Sequence, residues 1–325
     1  MGAQAGLRYA ARGRRASKAT EARPLSRRRL LLRAAGLSAA VAAAGLSGRL
    51  SANPLGKPIG IQLWTVNDAL KADPAGTLNQ LARIGFREVE SAGFAGLTPQ
   101  QFRRLLDDAG LVCPSAHLGF DLDNLDATFA AAHALGASYA TSSSLLDTVG
   151  KFLATKPGWK SGMSLEEAQR TAEVANRIGA AARRAGLKFA LHNHDREFVD
   201  LGNGTVGYGV LWRETDPALV QFEIDCGWMV FAGRSPLDYF RRYPGRIPLI
   251  HVKDFLPKQN PGAAPTTESM RGAELGRGVV DYRPIFAAAK RAGLEHYFAE
   301  QEGPFARMSE LEAAQVAYDY LHSID

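Results

Sequence analysis

The stretch Leu187-Lys-Phe-Ala-Leu-His-Asn-His-Asp-Arg-Glu-Phe198 begins as an apolar, strand-like run and delivers two histidines at its end. Side chains alternate across a β-strand, so Ala190, His192 and His194 share one face. Two imidazoles where a strand meets a loop suit a metal site. A structural histidine pair is the alternative interpretation. The choice depends on whether other strands end in similar residues.

Strand-like runs alternate with helix-like stretches along the chain. The predicted strands are Ile59–Trp64, Phe86–Glu90, Leu111–Leu118, Ser138–Ser142, Leu187–His192, Val220–Asp225, Ile247–Val252 and Tyr297–Gln301. Helices are predicted at Pro74–Ile84, Pro99–Ala109, Leu125–Leu135, Leu165–Ala185, Pro236–Tyr243, Tyr282–Ala292 and Glu310–Leu321, with a weaker one at Tyr208–Glu214. This alternation predicts an α/β fold, a (β/α)8 TIM barrel. A doubly wound sheet is the alternative, but the first strand is not followed by the Gly-rich loop that such a sheet needs.

Residues 1–56 differ in charge from the rest of the chain. They hold 11 of the 39 Lys and Arg residues but one acid, Glu21, so residues 57–325 hold 28 basic and 32 acidic residues, a net charge of −4. The absence of excess positive charge in residues 57–325 argues against nucleic acid as a partner.

Cys113 and Cys226 lie far apart and have no CxxC partner, so we expect two free thiols.

The basic segment has the pattern of a targeting leader. Ser26-Arg-Arg-Arg-Leu-Leu31 resembles the twin-arginine export motif, and an apolar stretch and small residues suited to cleavage follow it. We expect a leader over residues 1–56 that is cleaved or disordered, the twin-arginine translocase as its partner, and a periplasmic or otherwise exported barrel over residues 57–325. A basic tail or a membrane anchor is the alternative, although the apolar run is shorter than the ~20 residues of a spanning helix.

Polar residues stand at the ends of six predicted strands, where the active site of a TIM barrel lies. They are Glu90, His117, His192 with His194, Glu223 with Asp225, His251 with Lys253 and Asp254, and Glu300 with Glu302. Buried carboxylates and imidazoles are costly unless they are paired or bind metal. These residues therefore predict a functional site. His133, His296 and His322 fall on helices or turns, and we expect surface or structural roles for them.

The order of these motifs resembles the xylose isomerase-like barrel superfamily, the sugar phosphate isomerases and epimerases. The resembling pieces are Gly60-Ile-Gln-Leu-Trp64, His192-Asn-His-Asp-Arg-Glu-Phe198, Asp225-Cys-Gly-Trp228, His251-Val-Lys-Asp254, Gly276-Arg-Gly-Val-Val-Asp281 and Ala299-Glu-Gln-Glu302. The resemblance implies one divalent metal held by strands five to eight, usually through Glu, Asp, His and Glu. The matching positions hold His192, Asp225, His251 and Glu300. His192 departs from that pattern, and His194 is its rival as the ligand.

The activity that the resemblance implies is proton abstraction beside a carbonyl through an enediolate. We expect a metal-dependent sugar isomerase or epimerase that acts on a neutral sugar or keto-sugar. A lyase or dehydratase on 3-keto-glycosides or inososes, and a non-catalytic sugar-binding barrel, are the alternatives. The imidazole on strand five puts an epimerisation by two carboxylates in doubt. The mixed nitrogen and oxygen ligands suit Zn²⁺, Mn²⁺ or Co²⁺ better than Mg²⁺. The oligomeric state stays open.

Individual roles follow from this interpretation. Catalytic roles are expected for Glu300, His192, His194 and Lys253. Substrate contacts are expected for Glu90, His117, Trp64 and Trp228. The alternatives are a salt bridge from Lys253 to Asp254 or Glu223, a buried ion pair for Glu90, a core histidine at position 117, and packing for the two tryptophans.

Two loops have open interpretations. Ser143–Ser164, with Trp159 and Lys160, is either a lid or a surface excursion. Gly276-Arg277-Gly278 either cradles a phosphate or turns the chain into the last helices.

Within the superfamily, three-zinc DNA-repair nucleases need a histidine where this chain has Trp228, and further ligands after the seventh strand, where the segment Pro257–Met270 contains no histidine. These differences argue against a nuclease.

Overall fold

A computed structural model describes residues 55–143, 145, 162–202, 204–257, 272–303, 305 and 308–324. Eight parallel strands in these residues close into a barrel. They are β1 Gly60–Gln62, β2 Glu88–Ala92, β3 Val112–His117, β4 Tyr139–Ser142, β5 Lys188–His192, β6 Val220–Asp225, β7 Leu249–Val252 and β10 His296–Ala299. β1 pairs with β2 on one side and with β10 on the other, which closes the ring. The predicted TIM barrel is confirmed.

A two-stranded antiparallel sheet, β8 Asp254–Phe255 and β9 Gly272–Ala273, lies outside the barrel ring. The helices of the described residues are α1 Asn67–Ala72, α2 Pro74–Ile84, α3 Pro99–Ala109, α4 Leu125–Leu135, α5 Leu165–Arg184, α6 Gly207–Glu214, α7 Cys226–Phe231, α8 Pro236–Arg242, α9 Tyr282–Ala292 and α10 Glu310–Ser323. In this part of the chain, none of the helices combines the length and the apolar character that crossing a bilayer would require.

Two sequence predictions fall on residues that the structure does not describe. The leader over residues 1–56 lies outside them apart from its last two positions, and its boundary stays a prediction. Residue 144 and residues 146–161 of the candidate lid are likewise outside.

Local sequence signals set the helix boundaries. Asp73 accepts a hydrogen bond from Gly76 N before the proline that opens α2. Thr98 and Gln101 form a capping box at the start of α3, and this helix ends at Gly110 in the left-handed conformation. Each cap satisfies backbone groups that the helix itself leaves unpaired. The chain therefore turns back towards the barrel at defined points.

Four strands share an inward pattern that positions the polar residues. Tyr139, Ala190, Leu249 and Phe298 form a buried apolar cluster of their own. Two residues later in the chain, and therefore on the same face, stand Thr141, His192, His251 and Glu300. An apolar layer thus lies directly beneath a polar layer at the carboxyl ends of the strands. Both cysteines are buried free thiols, as expected.

Gly179 tests how closely α5 packs on the barrel. A Cβ at this position would lie 2.4 Å from the carbonyl oxygen of Leu219, an atom that cannot move away without shifting the backbone. Gly179→Ala is expected to lower the free energy of unfolding by about 1–3 kcal/mol, measured by urea denaturation. Gly209→Ala in α6 is the matched control, because its nearest contact would be 3.9 Å away. The control should raise stability by roughly 0.5–1 kcal/mol through helix propensity. Equal effects of the two substitutions would contradict the packing argument.

Candidate metal centre

Three buried side chains and the partly buried His117 form a closed ring of polar contacts inside the barrel. His117 Nε2 lies 2.8 Å from Glu223 Oε2 and 3.1 Å from Glu90 Oε2. His251 Nε2 lies 2.6 Å from the same Glu90 oxygen and 3.2 Å from the same Glu223 oxygen. The two imidazole rings are stacked, with their centroids 5.4 Å apart. Each carboxylate therefore contacts two imidazoles, which offsets the cost of its burial. We call these four residues the inner ring.

A second set of side chains lies on the other side of His251. His192, Asp225, His251 and Glu300 each offer one ligand atom, and these atoms lie within 4.8 Å of one another. All four residues are buried. His251 joins the two sets, because its Nε2 faces the inner ring while its Nδ1 lies 2.9 Å from Glu300 Oε2. We call these four residues the outer group.

The strand ends hold the outer group by local contacts. Asp225 ends β6 and caps α7, where its Oδ1 accepts a hydrogen bond from Trp228 N at 2.8 Å. Asn193, directly after β5, accepts a hydrogen bond from Asp225 N and is itself bonded by the Tyr208 hydroxyl. These contacts fix one oxygen of Asp225 and turn the other, Oδ2, towards the outer group.

Lys253 places a positive charge beside the outer group. Its Nζ lies 2.8 Å from Glu300 Oε2 and 3.3 Å from Asp225 Oδ2, and it also donates to Glu302. The alternative interpretation of Lys253, a salt bridge, is therefore correct in kind, but its partners are Asp225, Glu300 and Glu302 rather than Asp254 or Glu223. Lys253 is 2% exposed. These contacts favour the positioning of Glu300 over direct proton donation, and the catalytic role of Lys253 stays a prediction.

Burial and neighbouring charges shift the pKa values in opposite directions across the site. Burial opposes a charged His117, but Glu90 and Glu223 raise its pKa to about 10. Burial and Lys253 lower the pKa of His194 to about 3. Burial raises the pKa of Asp225 to about 6 against the opposing effect of Lys253. Positive charge therefore concentrates next to the carboxylates, while His194 is neutral near pH 7.

A cavity of about 520 Å³ adjoins the outer group and is large enough for a small ligand. We call it the inner cavity. Its wall includes His192, His194, Glu300, Glu302 and Trp64. Glu300 belongs to both the outer group and this wall, so a bound ligand would touch the candidate metal ligands directly.

Two of the four residues expected to contact substrate line the inner cavity, and the other two are buried in structural contacts. His117 and Trp64 line the inner cavity. Glu90 is fully buried and accepts hydrogen bonds from Gln62 and Ser115 as well as contacting two imidazoles, which favours the alternative role of a buried ionic partner. Trp228 is 5% exposed, and its ring lies 5.2 Å from Lys253 Nζ, which favours packing.

The two histidines that follow the fifth strand have different surroundings. His192 Nδ1 lies 3.1 Å from Glu223 Oε2, and the residue belongs to the outer group. His194 lies in the cavity wall, with its ring centroid 5.0 Å from that of His192, and neither candidate ligand cluster includes it. The geometry therefore favours His192 as the metal ligand and His194 as the substrate contact.

The loop at Gly276–Gly278 wraps a carboxylate of the protein itself. The backbone N–H groups of Gly276, Gly278 and Val280 donate to the Asp254 carboxylate at 2.9–3.1 Å. A Cβ on Gly278 would lie 2.1 Å from Asp254 Oδ1, so this contact requires glycine. These N–H groups are therefore engaged by Asp254. This supports the turn and argues against the phosphate cradle.

Sequence reasoning missed the residues that support the site. Gln62 and Ser115 hold Glu90, and Asn193 holds Asp225. A signal existed for Ser115, which precedes His117 by two positions and therefore shares its inward face. Neutral polar residues on an inward face are a weaker signal than histidine or glutamate, because they do not bind metals as strongly.

The donor set fits a divalent cation. Among the described residues, Asp225 Oδ2 and Glu223 Oε1 are buried oxygens that accept no hydrogen bond. Lys253 Nζ lies 3.3 Å from Asp225 Oδ2, and a divalent cation would give these oxygens a closer partner. Two imidazoles and two carboxylates are a common ligand set for transition metals. His192, Asp225, His251 and Glu300 are the residues that could hold the ion.

Comparisons with known proteins agree with the fold. The family model described as a xylose isomerase-like TIM barrel matches residues 78–320. An inosose dehydratase of Lacticaseibacillus casei is 30% identical over 167 residues, which cover 48% of this chain and 54% of that protein. The chain thus matches about half the length of this curated relative.

Solved structures show the same barrel. A sugar phosphate isomerase/epimerase from Parabacteroides distasonis has a TM-score of 0.65 and 24% identity, with 82% of this chain and 94% of that chain covered. A xylose isomerase-like TIM barrel protein from Mycobacterium smegmatis, in complex with magnesium, has a TM-score of 0.57 and 19% identity, with 83% and 97% covered. At these identities the likeness shows the fold alone.

The ligand atoms of a second cluster, His117, His192, Glu223 and His251, also lie within 4.8 Å of one another. Two substitutions distinguish the two candidate metal sites. Asp225→Asn is expected to abolish stoichiometric binding of Zn²⁺ or Mn²⁺, because it removes a ligand oxygen of the outer group. Glu223→Gln should retain the ion with affinity lowered by about 10–100-fold, since it changes only a partner of the ligands. Metal content after dialysis and competition with a chelator measure both. The reverse pattern would place the ion at the second cluster.

Proposed function

The chain belongs to the xylose isomerase-like TIM barrel family, and on this basis we propose that it is a metal-dependent carbon–oxygen lyase acting beside the carbonyl of a keto-sugar or inosose. The arrangement of proton-transferring groups carries this proposal. Glu300 lines the inner cavity, whereas the fifth strand contributes His192 and His194 instead of a second carboxylate. One carboxylate suffices for an elimination, because it can take a proton from carbon and return it to the leaving oxygen. The similarity to inosose dehydratases also supports a lyase.

Glu300 carries the proton in the proposed elimination. Both short contacts of Glu300, to His251 and Lys253, engage Oε2. We assign Oε1 as the base that removes the proton from the carbon next to the carbonyl. The electron pair forms the carbon–carbon double bond as the neighbouring carbon–oxygen bond breaks, and Glu300 then protonates the departing oxygen. His194 contacts the keto-sugar ring from the wall of the inner cavity. Substrate becomes unsaturated ketone plus water or alcohol, without net oxidation.

A bound divalent cation supplies electrophilic stabilisation of the carbonyl oxygen as it gains negative charge. We propose Zn²⁺, Mn²⁺ or Co²⁺ over Mg²⁺, because two of the four candidate ligands are imidazoles. Asp225 and Glu300 neutralise the charge of such an ion. The resulting site favours a neutral substrate, since a charged one would be desolvated without compensation.

A two-base isomerase or epimerase is the second candidate. It requires a base on each face of the substrate carbon, and His194 lines the same cavity as Glu300. Proton transfer depends on reach and pKa rather than on residue type, so an imidazole can replace the missing carboxylate. A non-catalytic sugar-binding barrel is the third candidate.

Incubation in D₂O with methyl 3-keto-β-glucoside distinguishes these candidates. The lyase releases methanol and an unsaturated keto-sugar, detected by NMR. Glu300→Gln should lower the rate by about 10²–10⁴-fold with metal in excess, because it removes the base. Glu173→Gln, an exposed change on α5, is the control and should keep the wild-type rate. Recovery of a deuterated isomer without methanol would favour the epimerase. A bound ligand with neither exchange nor product would favour the binding protein.

We also propose export by the twin-arginine pathway, which the pattern Ser26-Arg-Arg-Arg-Leu-Leu31 supports. Replacing Arg27 and Arg28 together by Lys is expected to retain the protein in the cytoplasmic fraction, because recognition of such leaders depends on the arginine pair. Replacing Arg14 and Arg15, an upstream pair, is the matched control and should leave export intact. Export of both variants would contradict the proposal. Failure of export of all three proteins, the wild type included, would also contradict it. Fractionation followed by immunoblotting measures the distribution.

A further inference from the structure

A second cavity adjoins the inner cavity, and Trp64 lines both. It has a volume of about 640 Å³ and is bordered by α1, by the start of α10 and by Gly303 and Phe305 in front of that helix. We call it the outer cleft. Either volume alone lies within the range of small-molecule pockets. A single sugar ring at the outer group would therefore leave the outer cleft for a second chemical group.

Trp64 is held at the boundary between the two cavities. It is 52% exposed, although its neighbours Leu63 and Thr65 are buried. Trp64 N donates to Gln62 Oε1 at 2.9 Å, and Gln62 Nε2 donates to Glu90 Oε2 at 2.9 Å. A chain of hydrogen bonds thus connects the tryptophan backbone to the inner ring. A large aromatic face at a cavity wall is suited to stacking on a sugar or aryl ring.

The lining of the outer cleft indicates the chemistry of its occupant. Met308 and Leu311 supply apolar surface, while Asp68 and Glu310 supply carboxylates. Glu310 is fixed in place, because its carboxylate accepts hydrogen bonds from Asp68 N and Ala69 N at 3.2 and 2.8 Å. Two carboxylates repel an anionic group such as a phosphate or a uronate. A neutral glycosyl or aryl group fits this lining.

We propose that the outer cleft is a leaving-group subsite, so that the substrate is a neutral glycoside rather than a free inosose. The inference rests on the proposed lyase function. The keto-sugar ring lies in the inner cavity, and the glycosidic oxygen lies near Trp64. On elimination the bond between this oxygen and the sugar carbon breaks. The oxygen takes up the proton that Glu300 removed from the ring, and a neutral alcohol departs through the outer cleft.

Binding of unreactive sugars to the purified protein tests the subsite without catalysis. Isothermal titration calorimetry is performed with methyl β-glucoside and with cellobiose, a neutral disaccharide. Wild type should bind cellobiose at least about tenfold more tightly, because the second ring gains contacts in the outer cleft. Ala69→Trp fills the cleft and should reduce this preference below about threefold. Ala130→Trp, at an exposed alanine of α4, is the control and should retain it.

The outcomes separate this inference from the proposed function. Equal affinities of the wild type for the two sugars would overturn the subsite, even if methyl 3-keto-β-glucoside is eliminated. A preference that survives Ala69→Trp would also overturn it. Asp68→Trp, at an exposed position on the same helix, replaces Ala69→Trp if that variant does not fold. Failure of elimination together with a cellobiose preference that Ala69→Trp abolishes would instead reject the lyase and the leaving-group role, and would retain the outer cleft as a binding subsite for a second sugar ring.

Discussion

The burial of four carboxylates at the mouth of one barrel is the constraint on which the rest of the site depends. Glu90, Glu223, Asp225 and Glu300 are each at most 7% exposed. Each such charge is costly in a medium of low dielectric constant unless a cation lies against it. The chain meets this cost by sharing polar partners, since the His251 imidazole contacts carboxylates on both sides of its ring. The outer group therefore depends on the inner ring for its geometry.

The departure on the fifth strand shapes the chemistry. The imidazole at position 192 offers a nitrogen ligand to the candidate metal centre. Positions 192 and 194 offer no carboxylate of the kind that proton transfer on both faces of a carbon would use. Glu300 is held between His251 and Lys253, and in the proposed mechanism it is the principal proton carrier. In the proposed subsite, the acidic outer cleft beyond Trp64 provides room for a neutral leaving group.

The sequence predicted the barrel because its periodicity is a local property. Pro74–Ile84, Pro99–Ala109 and Val220–Asp225 agree with the structure at both ends, since caps, glycines and turns mark them. The eighth strand ends at Ala299 rather than at Gln301, so Glu300 follows the strand instead of belonging to it.

Contacts between strands could not be predicted in the same way, because they depend on three-dimensional register. The partners of Lys253 come from the ends of two other strands, and the role of Glu90 depends on imidazoles of β3 and β7. The amide groups of Gly276 and Gly278 donate to Asp254 across 22 and 24 residues, and a sequence motif alone does not reveal such contacts.

An anomalous-scattering crystal structure of the protein grown with Mn²⁺ or Zn²⁺ tests the central claim most directly. The account predicts one strong peak at about 2.0–2.2 Å from one atom each of His192, Asp225, His251 and Glu300. The Lys253 ammonium should then lie farther from Asp225 Oδ2 than the present 3.3 Å, because the ion would repel it. A peak among His117, Glu223 and His251, or full metal in solution with no peak at the outer group, would contradict the account.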